Sequence, residues 1–467
     1  MKKNLKIFIE KNFINKKIMF CGLGKSNLPL LQILTNKYGI PVIAYDHNSE
    51  EKIDLNTLNI LRKNKYVSLR LADETVWSES FDIVIRTPGI SFFSENIEKI
   101  RKNGAVVTSE MEIFFDICPC KIIGITGSDG KTTVTTIISE LLKNQGYTVH
   151  LGGNIGKPLL PEIEKIHEKD FAVVELSSFQ LMSMRKSPDI SVVTNISPNH
   201  LDVHHDMQEY INSKKQIILH QNAFSKSVLN YDNKETKKFS TDVRGQTNFF
   251  SISKELTNGI WIDPEGNIIN SFEKNKKIIM NKSEIILPGN HNLENYLAAI
   301  SAISELVSTE TIKQVASKFN GVEHRLEFVR TINGVNFYND SIASSPTRVI
   351  KGTLSLFDDK IILIAGGYDK KIPFDELAEK INEKVTSLIL LGKASEKIKN
   401  AIMSSKNYNK NKLKIIETDS MENAVKFAKK IAQTGDTVVL SPACASFDMY
   451  KNFEERGNHF KSIVKNL

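Results

Sequence analysis

One stretch near the middle of the chain constrains the fold more than any other, because it sets a glycine loop between an apolar run and an amphipathic run. The loop reads Gly124-Ile125-Thr126-Gly127-Ser128-Asp129-Gly130-Lys131-Thr132-Thr133. The apolar residues 121–125 before it predict a buried strand, and the apolar spacing of 134–142 predicts a helix. The pattern G-x-x-x-x-G-K-[ST] in this context binds phosphate through backbone N–H groups and a helix N-terminus. A chance glycine turn is the alternative, but the flanking elements favour an ATP or GTP site.

Three side chains carry the chemistry expected beside that loop. Lys131 would place an ammonium on the β- and γ-phosphates, and Thr132 would offer a hydroxyl to Mg²⁺. Glu175 ends an apolar run over 171–175, which is the position of a magnesium-binding acid in a phosphate-loop sheet. A surface charge at the end of a strand is the alternative for Glu175, although the preceding Ala-Val-Val favours burial.

Length, charge and cysteine usage exclude several classes of protein. A chain of 467 residues is too long for a single core, and about three domains are expected. No run of ~18 uncharged apolar residues occurs, so no membrane span is predicted. Lys6, Glu10 and Lys11 interrupt any signal-type apolar segment near the N-terminus, and we expect a cytoplasmic protein. The net charge of +8 comes from dispersed lysines without interleaved aromatic residues, so no nucleic-acid partner is expected. The four cysteines lack a zinc-binding spacing and are interpreted as reduced thiols.

The N-terminal region begins as a β-α-β unit. A strand over 17–21 is followed by Gly22-Leu23-Gly24-Lys25-Ser26-Asn27, and a helix is predicted over 28–37. A second strand ends at Asp46, at the distance where dinucleotide folds carry an acidic residue. The glycine fingerprint is incomplete because Asn27 stands at the third glycine position, so a dinucleotide-type site and a structural glycine turn both stay open.

The remaining regions also indicate α/β structure. Asn292 and Asn295 lie three residues apart near the start of a helix predicted over 296–306, where they could bind adenine or phosphate or act as N-caps. His200 follows a strand predicted over 191–196 and could be a metal ligand, although a loop histidine is the better reading of that residue alone. Strands predicted over 361–365, 387–391 and 437–440 are each followed by a loop and a helical pattern, which predicts a largely parallel third sheet.

Taken together, these motifs resemble the Mur ligase superfamily of ATP-dependent amide-forming enzymes. The resemblance is carried by the glycine loop and by Glu175-Leu176-Ser177-Ser178, Gly289-Asn290-His291-Asn292 with Asn295, and Glu323-His324-Arg325. The run 441–457, SPACASFDMYKNFEERG, is similar to the C-terminal signature of the branch that adds D-glutamate. The likeness spans essentially the whole chain in the expected order.

The resemblance implies an α/β fold with three domains. Residues 1–110 would form a Rossmann-like domain for the UDP moiety, 111–321 a central P-loop ATPase domain, and 322–467 a Rossmann-like domain that brings the amino acid. The implied substrates are ATP, UDP-N-acetylmuramoyl-L-alanine and D-glutamate, with two Mg²⁺ ions. The alanine carboxylate would attack the γ-phosphate to give an acyl phosphate, and the amine of D-glutamate would then displace phosphate. A monomer is expected.

The resemblance also assigns roles to individual residues. The catalytic residues would be Lys131, Glu175, His200 and Lys214. The metal ligands would be Thr132, Glu175, His200 and Lys214, the last as a carbamate. The ATP site would comprise Gly127, Ser128, Asp129, Gly130, Lys131, Thr132, Thr133, Asn292, Asn295, Arg325 and Asp340. The UDP-substrate site would comprise Gly24, Lys25, Ser26, Asp46, His47, Gly89 and Asn154. The D-glutamate site would comprise Ser344, Lys370, Ser446, Phe447 and Phe453.

Two positions leave alternatives open. Ile342 stands where the family often has a lysine, so the function of that lysine is lost here or supplied elsewhere, for example by Arg348. Lys215 is adjacent to Lys214, and spacing alone does not separate them. A carbamate at either position requires a depressed amine pKa, because an ordinary lysine is protonated at neutral pH.

Rival functions explain less of the sequence. Another ligase of the superfamily is the nearest alternative, and the run 441–457 disfavours it. An NAD-dependent dehydrogenase would leave Lys131 and the third domain without a role. A GTP-hydrolysing switch would be expected to carry an Asn-Lys-x-Asp run, which this sequence lacks.

Overall fold

A computed structural model describes residues 5–24, 26–198, 204–272, 276–287, 289–357, 360–369 and 372–467. The chain forms two compact units, Met1–Lys318 and Phe319–Leu467. It contains three sheets of five, nine and six strands, which confirms the predicted α/β class. The domain boundaries expected at 110/111 and 321/322 stay predictions. Among the described residues, no helix is long and apolar enough to cross a membrane.

The first sheet is parallel throughout, with the strand order β3-β2-β1-β4-β5. Its strands are β1 Ile18–Cys21, β2 Val42–Asp46, β3 Val67–Leu71, β4 Ile83–Arg86 and β5 Val106–Thr108. Its helices are α1 Leu5–Asn12, α2 Asn27–Gln32, α3 Leu55–Arg62 and α4 Glu95–Lys102, with a π-helical turn at Ile33–Lys37 and 3-10 turns at Glu50–Lys52 and Glu74–Ser78. The predicted helix over 28–37 is therefore only partly α-helical. The strand order reverses direction between β1 and β4, and ligands of such sheets bind at that switch point.

The second sheet has the order β14-β13-β12-β11-β10-β9-β6-β8-β7 and is parallel except at its β12-β13-β14 edge. Its strands are β6 Lys121–Thr126, β7 Val149–Gly153, β8 Phe171–Glu175, β9 Ile190–Val193, β10 Lys226–Asn230, β11 Gln246–Ser251, β12 Gly259–Ile262, β13 Asn267–Asn270 and β14 Lys277–Asn281. Its helices are α5 Glu110–Ile117, α6 Lys131–Asn144, α7 Ser178–Leu181, α8 Met207–Leu219, α9 Lys234–Lys238, α10 Asn290–Ile303 and α11 Thr309–Ala316, with 3-10 turns at Leu160–Lys165, Phe239–Asp242 and Lys282–Glu284. The strand predicted over 191–196 ends earlier, and the helix predicted from 296 begins earlier.

One apolar core runs from the first sheet into the second. It includes Phe20 of β1, Leu31 of α2, Leu160 of the 3-10 turn before β8, and Val174 of β8. Burial of this continuous surface is the main stabilising term for the packing of the two sheets. It also explains why both sheets belong to one compact unit.

The third sheet forms the second unit, with the order β15-β16-β20-β17-β18-β19 and one antiparallel pair, β15-β16. Its strands are β15 Glu327–Ile332, β16 Val335–Asn339, β17 Ile361–Gly366, β18 Val385–Leu391, β19 Lys414–Glu417 and β20 Thr437–Leu440. Its helices are α12 Pro346–Lys351, α13 Thr353–Leu356, α14 Asp375–Lys384, α15 Ser395–Ser404, α16 Met421–Ile431 and α17 Phe453–Lys465. Successive β17 residues alternate between two cores, Leu363 in one and Ile362 and Ile364 in the other, so helices cover both faces.

Candidate active site

The glycine loop joins β6 to α6, and two of its glycines leave no room for a side chain. Gly127 has a φ of 151°, and a Cβ there would lie 1.9 Å from Thr194 Oγ1. Gly130 has a φ of 78°, and a Cβ there would lie 2.3 Å from Asn295 Oδ1. Any other residue would be strained and would displace a neighbour. The loop therefore keeps the bare backbone that close approach of a phosphate requires.

Lys131 begins α6 and folds its side chain back over the loop. Its Nζ donates to the carbonyl oxygen of Gly127 at 2.9 Å and to that of Ser128 at 3.0 Å. The ammonium is thus held beside the N-terminus of a 14-residue helix, where the helix dipole is positive. The two positive contributions together favour a polyanion such as a triphosphate.

Glu175, the last residue of β8, brings three predicted site residues together. Its side chain is buried; Oε2 accepts a hydrogen bond from the Thr132 hydroxyl at 2.7 Å, and Oε1 accepts one from Asn154 Nδ2 at 2.7 Å. The Asn154 backbone N–H also donates to the Glu175 carbonyl at 2.8 Å. Thr132 lies at the start of α6, which follows β6, Asn154 directly follows β7, and Glu175 ends β8. The three residues meet because β8 pairs with both β6 and β7.

The oxygen set at Glu175 fits a hard divalent cation. The two side chains that donate to the carboxylate, Thr132 and Asn154, are both uncharged. A buried carboxylate is costly without a counter-charge, and Mg²⁺ prefers carboxylate and hydroxyl oxygens. Within the described ranges, no group of three or more His, Cys, Asp or Glu side chains is placed to hold a metal ion. His200, which the sequence offers as a further ligand, lies outside the described residues.

Lys214 of α8 is buried against the same loop. Its Nζ donates to the Gly127 carbonyl at 2.8 Å and lies 4.7 Å from the centre of the Tyr210 ring. Burial, followed by the charge of Lys131, holds the pKa of Lys214 well below its usual value, and Asp129 and Glu175 oppose the shift. The neighbouring Lys215 instead forms an ion pair with Asp242 at 2.6 Å. The structure therefore separates two lysines that spacing could not.

The loop after β9 supports the glycine loop through contacts that no sequence pattern predicts. The Asp129 N–H donates to Asn195 Oδ1 at 2.9 Å, and the Thr194 hydroxyl donates to the Asp129 carbonyl at 2.6 Å. Ser128 Oγ shares a hydrogen bond of 2.9 Å with Tyr210 Oη. The adjacency of β6 and β9 brings these residues together, and a sequence pattern does not report which strands are adjacent.

His204 is a second residue that sequence reasoning missed. It is buried, and its ring nitrogens hydrogen-bond Glu209 Oε1 and Ser178 Oγ, both at 2.9 Å. Its ring also stacks on Phe179 with a centroid distance of 5.1 Å. These contacts fix the segment just after Glu175 against the start of α8.

Asn292 and Asn295 lie in the first two turns of α10. Asn295 Nδ2 donates to Asn292 Oδ1 at 3.3 Å, so the two amides do share one helix face. Asn295 is buried, and its Oδ1 faces Gly130. Asn295 is therefore at the phosphate loop, and its predicted role toward the nucleotide remains untested.

Four of the residues predicted to bind the UDP substrate are described at the carboxyl ends of strands in the first sheet: Gly24 and Ser26 follow β1, Asp46 ends β2 and Gly89 follows β4. Asp46 is buried and accepts the Leu23 N–H through Oδ2 at 3.0 Å, so it shapes the glycine turn. Ser26 Oγ lies 3.4 Å from Thr87 Oγ1, whose turn carries Gly89. Of the same predicted group, His47 and Gly24 are exposed, and Lys25 lies outside the described residues.

Asn27 explains the incomplete glycine fingerprint. It is fully buried, and its Nδ2 donates to the carbonyls of Cys21 at 3.3 Å, Gly22 at 2.9 Å and Ile85 at 3.1 Å. One amide therefore ties the ends of β1 and β4 together where a glycine would make no such contact. The asparagine serves the geometry of the turn.

Asp340, in the second unit, is held within its own fold. Its Oδ2 accepts hydrogen bonds from the hydroxyls of Thr353 at 2.6 Å and Ser441 at 3.0 Å, and Oδ1 accepts the Leu326 N–H at 3.2 Å. Burial raises the pKa of Asp340 to about 6, against the lowering effect of these bonds and of Arg325. The exposed Arg325 and buried Asp340 stay predictions as nucleotide contacts.

Four of the predicted D-glutamate residues lie in the described part of the second unit: Ser344 precedes α12, Ser446 and Phe447 follow β20, and Phe453 begins α17. Ser446 is buried and Phe447 is 67% exposed, beside the ring of Tyr368. Phe453 begins α17 and packs edge-on against His324 with a centroid distance of 6.0 Å. Ser344 is half-buried. Lys370 lies outside the described residues.

Arg456 of α17 clamps these loops together, and no role for it was predicted. It is 3% exposed, and its guanidinium donates to the Ser341 hydroxyl and carbonyl at 3.0 and 2.9 Å. It also donates to the carbonyls of Cys444 and Ala445 at 3.1 and 3.2 Å. The planar guanidinium fork suits this geometry.

Comparison with protein families gives two matches that lie in the expected order. Residues 125–303 match the family described as the Mur ligase middle domain. Residues 324–444 match the family described as Mur ligase, glutamate ligase domain. The first match includes the glycine loop from Ile125 onward, together with Glu175, Lys214 and Asn295.

Curated proteins of similar length align over nearly the whole chain. A UDP-N-acetylmuramoylalanine--D-glutamate ligase of Acetivibrio thermocellus is 47% identical over 461 residues, covering 98% of both chains. A protein of the same name from Clostridium botulinum is 48% identical over 469 residues, covering 100% of both.

Solved structures share the fold at low identity. A pseudomurein peptide ligase type C from Methanothermus fervidus has a TM-score of 0.54 at 20% identity, covering 97% of this chain and 100% of that chain. UDP-N-acetylmuramate-alanine ligase MurC from Thermotoga maritima has a TM-score of 0.53 at 15% identity, with the same coverage of 97% and 100%.

Proposed function

The chain belongs to the Mur ligase family, and from this premise we propose that it joins D-glutamate to UDP-N-acetylmuramoyl-L-alanine with cleavage of ATP. The observation that carries the proposal is the meeting of Thr132 and the buried Glu175 carboxylate beside the phosphate loop. The choice of D-glutamate and of the muramoyl acceptor follows from the names of relatives that align over the full length.

The phosphate loop binds the triphosphate in this proposal. Backbone N–H groups of 127–130 and the N-terminus of α6 receive the β-phosphate, and Lys131 exchanges its loop carbonyls for phosphate oxygens. Thr133 continues the loop into the helix. Asn292, Asn295, Arg325 and Asp340 contact the rest of the nucleotide.

Magnesium fits beside Thr132 and Glu175, and a second ion would use Glu175, His200 and modified Lys214. When bound, the metal neutralises charge on the phosphates and on the acceptor carboxylate. The protein's own residues supply orientation: Asn154 holds one carboxylate oxygen of Glu175, and Thr132 holds the other. We thus propose two metal ions, which share Glu175 as a ligand.

Lys214 would carry a carbamate. Its depressed pKa leaves a fraction of neutral amine, which can react with carbon dioxide to form a carbamate and release a proton. The modification turns a buried cation beside Lys131 into an anion that binds metal. The same burial that makes a charged lysine costly thus favours its conversion.

The reaction then proceeds in two steps. The alanine carboxylate oxygen attacks the γ-phosphorus, ADP leaves, and an acyl phosphate forms. The amine of D-glutamate attacks the acyl carbon, phosphate leaves with its bridging oxygen, and the amine loses a proton. Positioning and charge stabilisation supply most of the acceleration in phosphoryl transfer.

The second unit brings D-glutamate in this proposal. Lys370 would pair with a carboxylate, and Ser344, Ser446, Phe447 and Phe453 would supply polar contacts and shape. Arg348 is the cation nearest in sequence to Ile342, and its Nη1 donates to the Ile342 carbonyl at 3.1 Å. It is the candidate to replace the charge that Ile342 lacks.

The first sheet binds the UDP moiety. Gly24, Lys25, Ser26, Asp46, His47 and Gly89 would surround it at the switch point, with Asn154 nearer the reacting carboxylate. We propose the domains 1–110, 111–321 and 322–467 for UDP, ATP and amino acid. We place the monomeric enzyme in the cytoplasm, where ATP and nucleotide-activated sugars are available.

The proposal is tested by phosphate release from ATP with Mg²⁺ and UDP-N-acetylmuramoyl-L-alanine, screened against D-glutamate, L-glutamate, glycine and diamino acids. We expect turnover and an amide product with D-glutamate alone. Equal ATP consumption without the muramoyl substrate, or no amide product with it, would contradict the assignment.

A further inference from the structure

A buried arginine links the first sheet to the segment that follows Glu175. Arg86, the last residue of β4, is 1% exposed. Its Nη1 donates to the Ile90 carbonyl at 2.8 Å, and its Nη2 donates to the Phe179 carbonyl at 2.9 Å and to the Ser183 hydroxyl at 2.8 Å. One guanidinium therefore bonds the turn just after β4 and also, 93 and 97 residues further along the chain, α7 and the residues that follow it.

Arg86 stays protonated at neutral pH although its guanidinium is buried. Burial lowers the pKa of Arg86 to about 10, and the negative charge of Glu112 opposes that shift. Glu112 reaches the arginine through Ser183, whose hydroxyl lies 3.5 Å from Glu112 Oε2. Among the described residues, the Arg86 Nε–H is buried without a hydrogen-bond partner, so the guanidinium is held by its Nη1 and Nη2 contacts alone. Because losing those contacts would leave a buried cation unpaired, the positions of their acceptors are tightly constrained.

In the proposed function, the two linked segments flank the reaction: the turn after β4 lies on the UDP side, and α7 lies on the Glu175 side. The turn 87–90 lies at the switch point of the first sheet and carries Gly89 of the predicted UDP-substrate site. Phe179 lies four residues after Glu175 and stacks on His204, which also bonds Ser178. Movement of the turn 87–90 relative to α7 would change the distance between the bound sugar nucleotide and the Glu175 carboxylate.

We propose that Arg86 is a positioning residue that fixes the UDP-substrate turn relative to the Glu175 segment. It touches no reacting atom, and it sets where the acceptor carboxylate arrives. The inference rests on the proposed function. It assigns to a buried side chain, three residues before Gly89, a role in substrate placement that differs from general packing.

The test separates placement from stability through the three substrates. We expect Arg86→Lys, which keeps the charge and loses the two-sided fork, to raise the KM for the UDP substrate about tenfold and to lower kcat/KM for it by roughly ten- to a hundredfold. The KM values for ATP and D-glutamate should stay within about twofold of wild type, because their predicted contacts are elsewhere. An equal rise in all three KM values, or no rise in any, would overturn the proposal.

A matched control and a second variant complete the design. Arg101 lies on the surface of α4 and stacks over the Phe92 ring at 4.2 Å, so Arg101→Lys should leave all three KM values unchanged. Ser183→Ala keeps the cation and removes one acceptor, and we expect a smaller rise confined to the UDP substrate. If Arg86→Lys does not fold, Ser183→Ala decides: an unchanged KM for the UDP substrate overturns the proposal.

The wild-type protein is assayed first. An absence of amide product there would refute the proposed function itself. Normal amide formation by wild type, with Arg86→Lys and Ser183→Ala both kinetically unchanged, would refute only the positioning role.

Discussion

The phosphate loop of the first unit and the clamped loops of the second unit use buried charge in different ways. At the phosphate loop, the charged groups of Lys131, Glu175 and Lys214 lie beside the glycine loop, at the site that we propose for the triphosphate and the metal. In the second unit, the buried guanidinium of Arg456 donates to loop carbonyls. Phe447, a predicted D-glutamate residue of the same loop, is exposed. In the first region, charged side chains face the proposed ligand site. In the second region, a buried charge holds the backbone of the loops in place.

The largest effect is expected from removing the charge at the phosphate loop. Lys131→Ala should lower kcat/KM about a thousandfold or more, because a preorganised cation at the transferred phosphoryl group is lost. Initial rates of phosphate release over a range of ATP concentrations that extends below KM measure it. Lys143→Ala, at the exposed end of α6, is the control and should retain wild-type activity. Comparable loss in both variants would refute the assignment.

The next effect distinguishes the two adjacent lysines of α8. Lys214→Ala should reduce turnover about a hundredfold, with partial rescue by short-chain carboxylates that replace the carbamate. Lys215→Ala removes only the ion pair with Asp242 and should stay near wild type. Steady-state rates with and without added carboxylate provide the measurement. Full activity of Lys214→Ala would remove this lysine from the metal site.

A smaller effect is expected in the second unit, because Arg456 holds backbone and touches no substrate. Arg456→Lys keeps the charge but cannot reproduce the fork to Ser341, Cys444 and Ala445, so the KM for D-glutamate should rise about tenfold. The KM for ATP serves as the internal reference. Arg330→Lys, a surface control that bonds the Lys465 carbonyl, should change neither value. A selective rise in the KM for ATP would break the comparison.

The last prediction concerns the pH dependence of stability, with no effect expected on activity, at a buried carboxyl for which no substrate contact is proposed. Burial raises the pKa of the Glu110 carboxyl from an ordinary 4.5 to about 7. Because the unfolded chain loses this proton at a lower pH than the folded chain, the free energy of unfolding falls as pH rises from 4.5 to about 7. Relative to wild type, Glu110→Gln should therefore gain stability between about pH 5 and about pH 8, by at most roughly 3 kcal/mol. Urea unfolding at the two pH values measures this, with Glu140→Gln as the surface control. A gain in the opposite direction would contradict the burial argument.

The glycine loop with Lys131 and Thr132 could be predicted from sequence because these residues are contiguous in the chain. Glu175 could be predicted because it ends an apolar run typical of a buried strand. The glycine loop, Lys131, Thr132 and Glu175 belong to one strand-loop-helix unit and a neighbouring strand end, and the structure brings them together. Lys214 could not be separated from Lys215 by spacing. One step along a helix turns the side chain by about a quarter turn, enough to move Lys215 from the loop to Asp242.

Long-range supports escaped prediction for a physical reason. Arg86 and Arg456 bond mainly backbone carbonyls, and every residue type offers a carbonyl. Their partners depend on which loops the strand order brings together, which no local pattern encodes. The sequence pattern marks Asn27 only as a missing glycine, whereas its amide joins the ends of two strands.

The most direct test of the central claim, that ATP cleavage and amide formation share an acyl phosphate, follows oxygen. UDP-N-acetylmuramoyl-L-alanine labelled with ¹⁸O in the alanine carboxylate is turned over with ATP, Mg²⁺ and D-glutamate, and the released phosphate is analysed by mass. Attack of the carboxylate on the γ-phosphorus predicts one labelled oxygen in each phosphate. Unlabelled phosphate, formed at the same rate as the amide, would contradict the account.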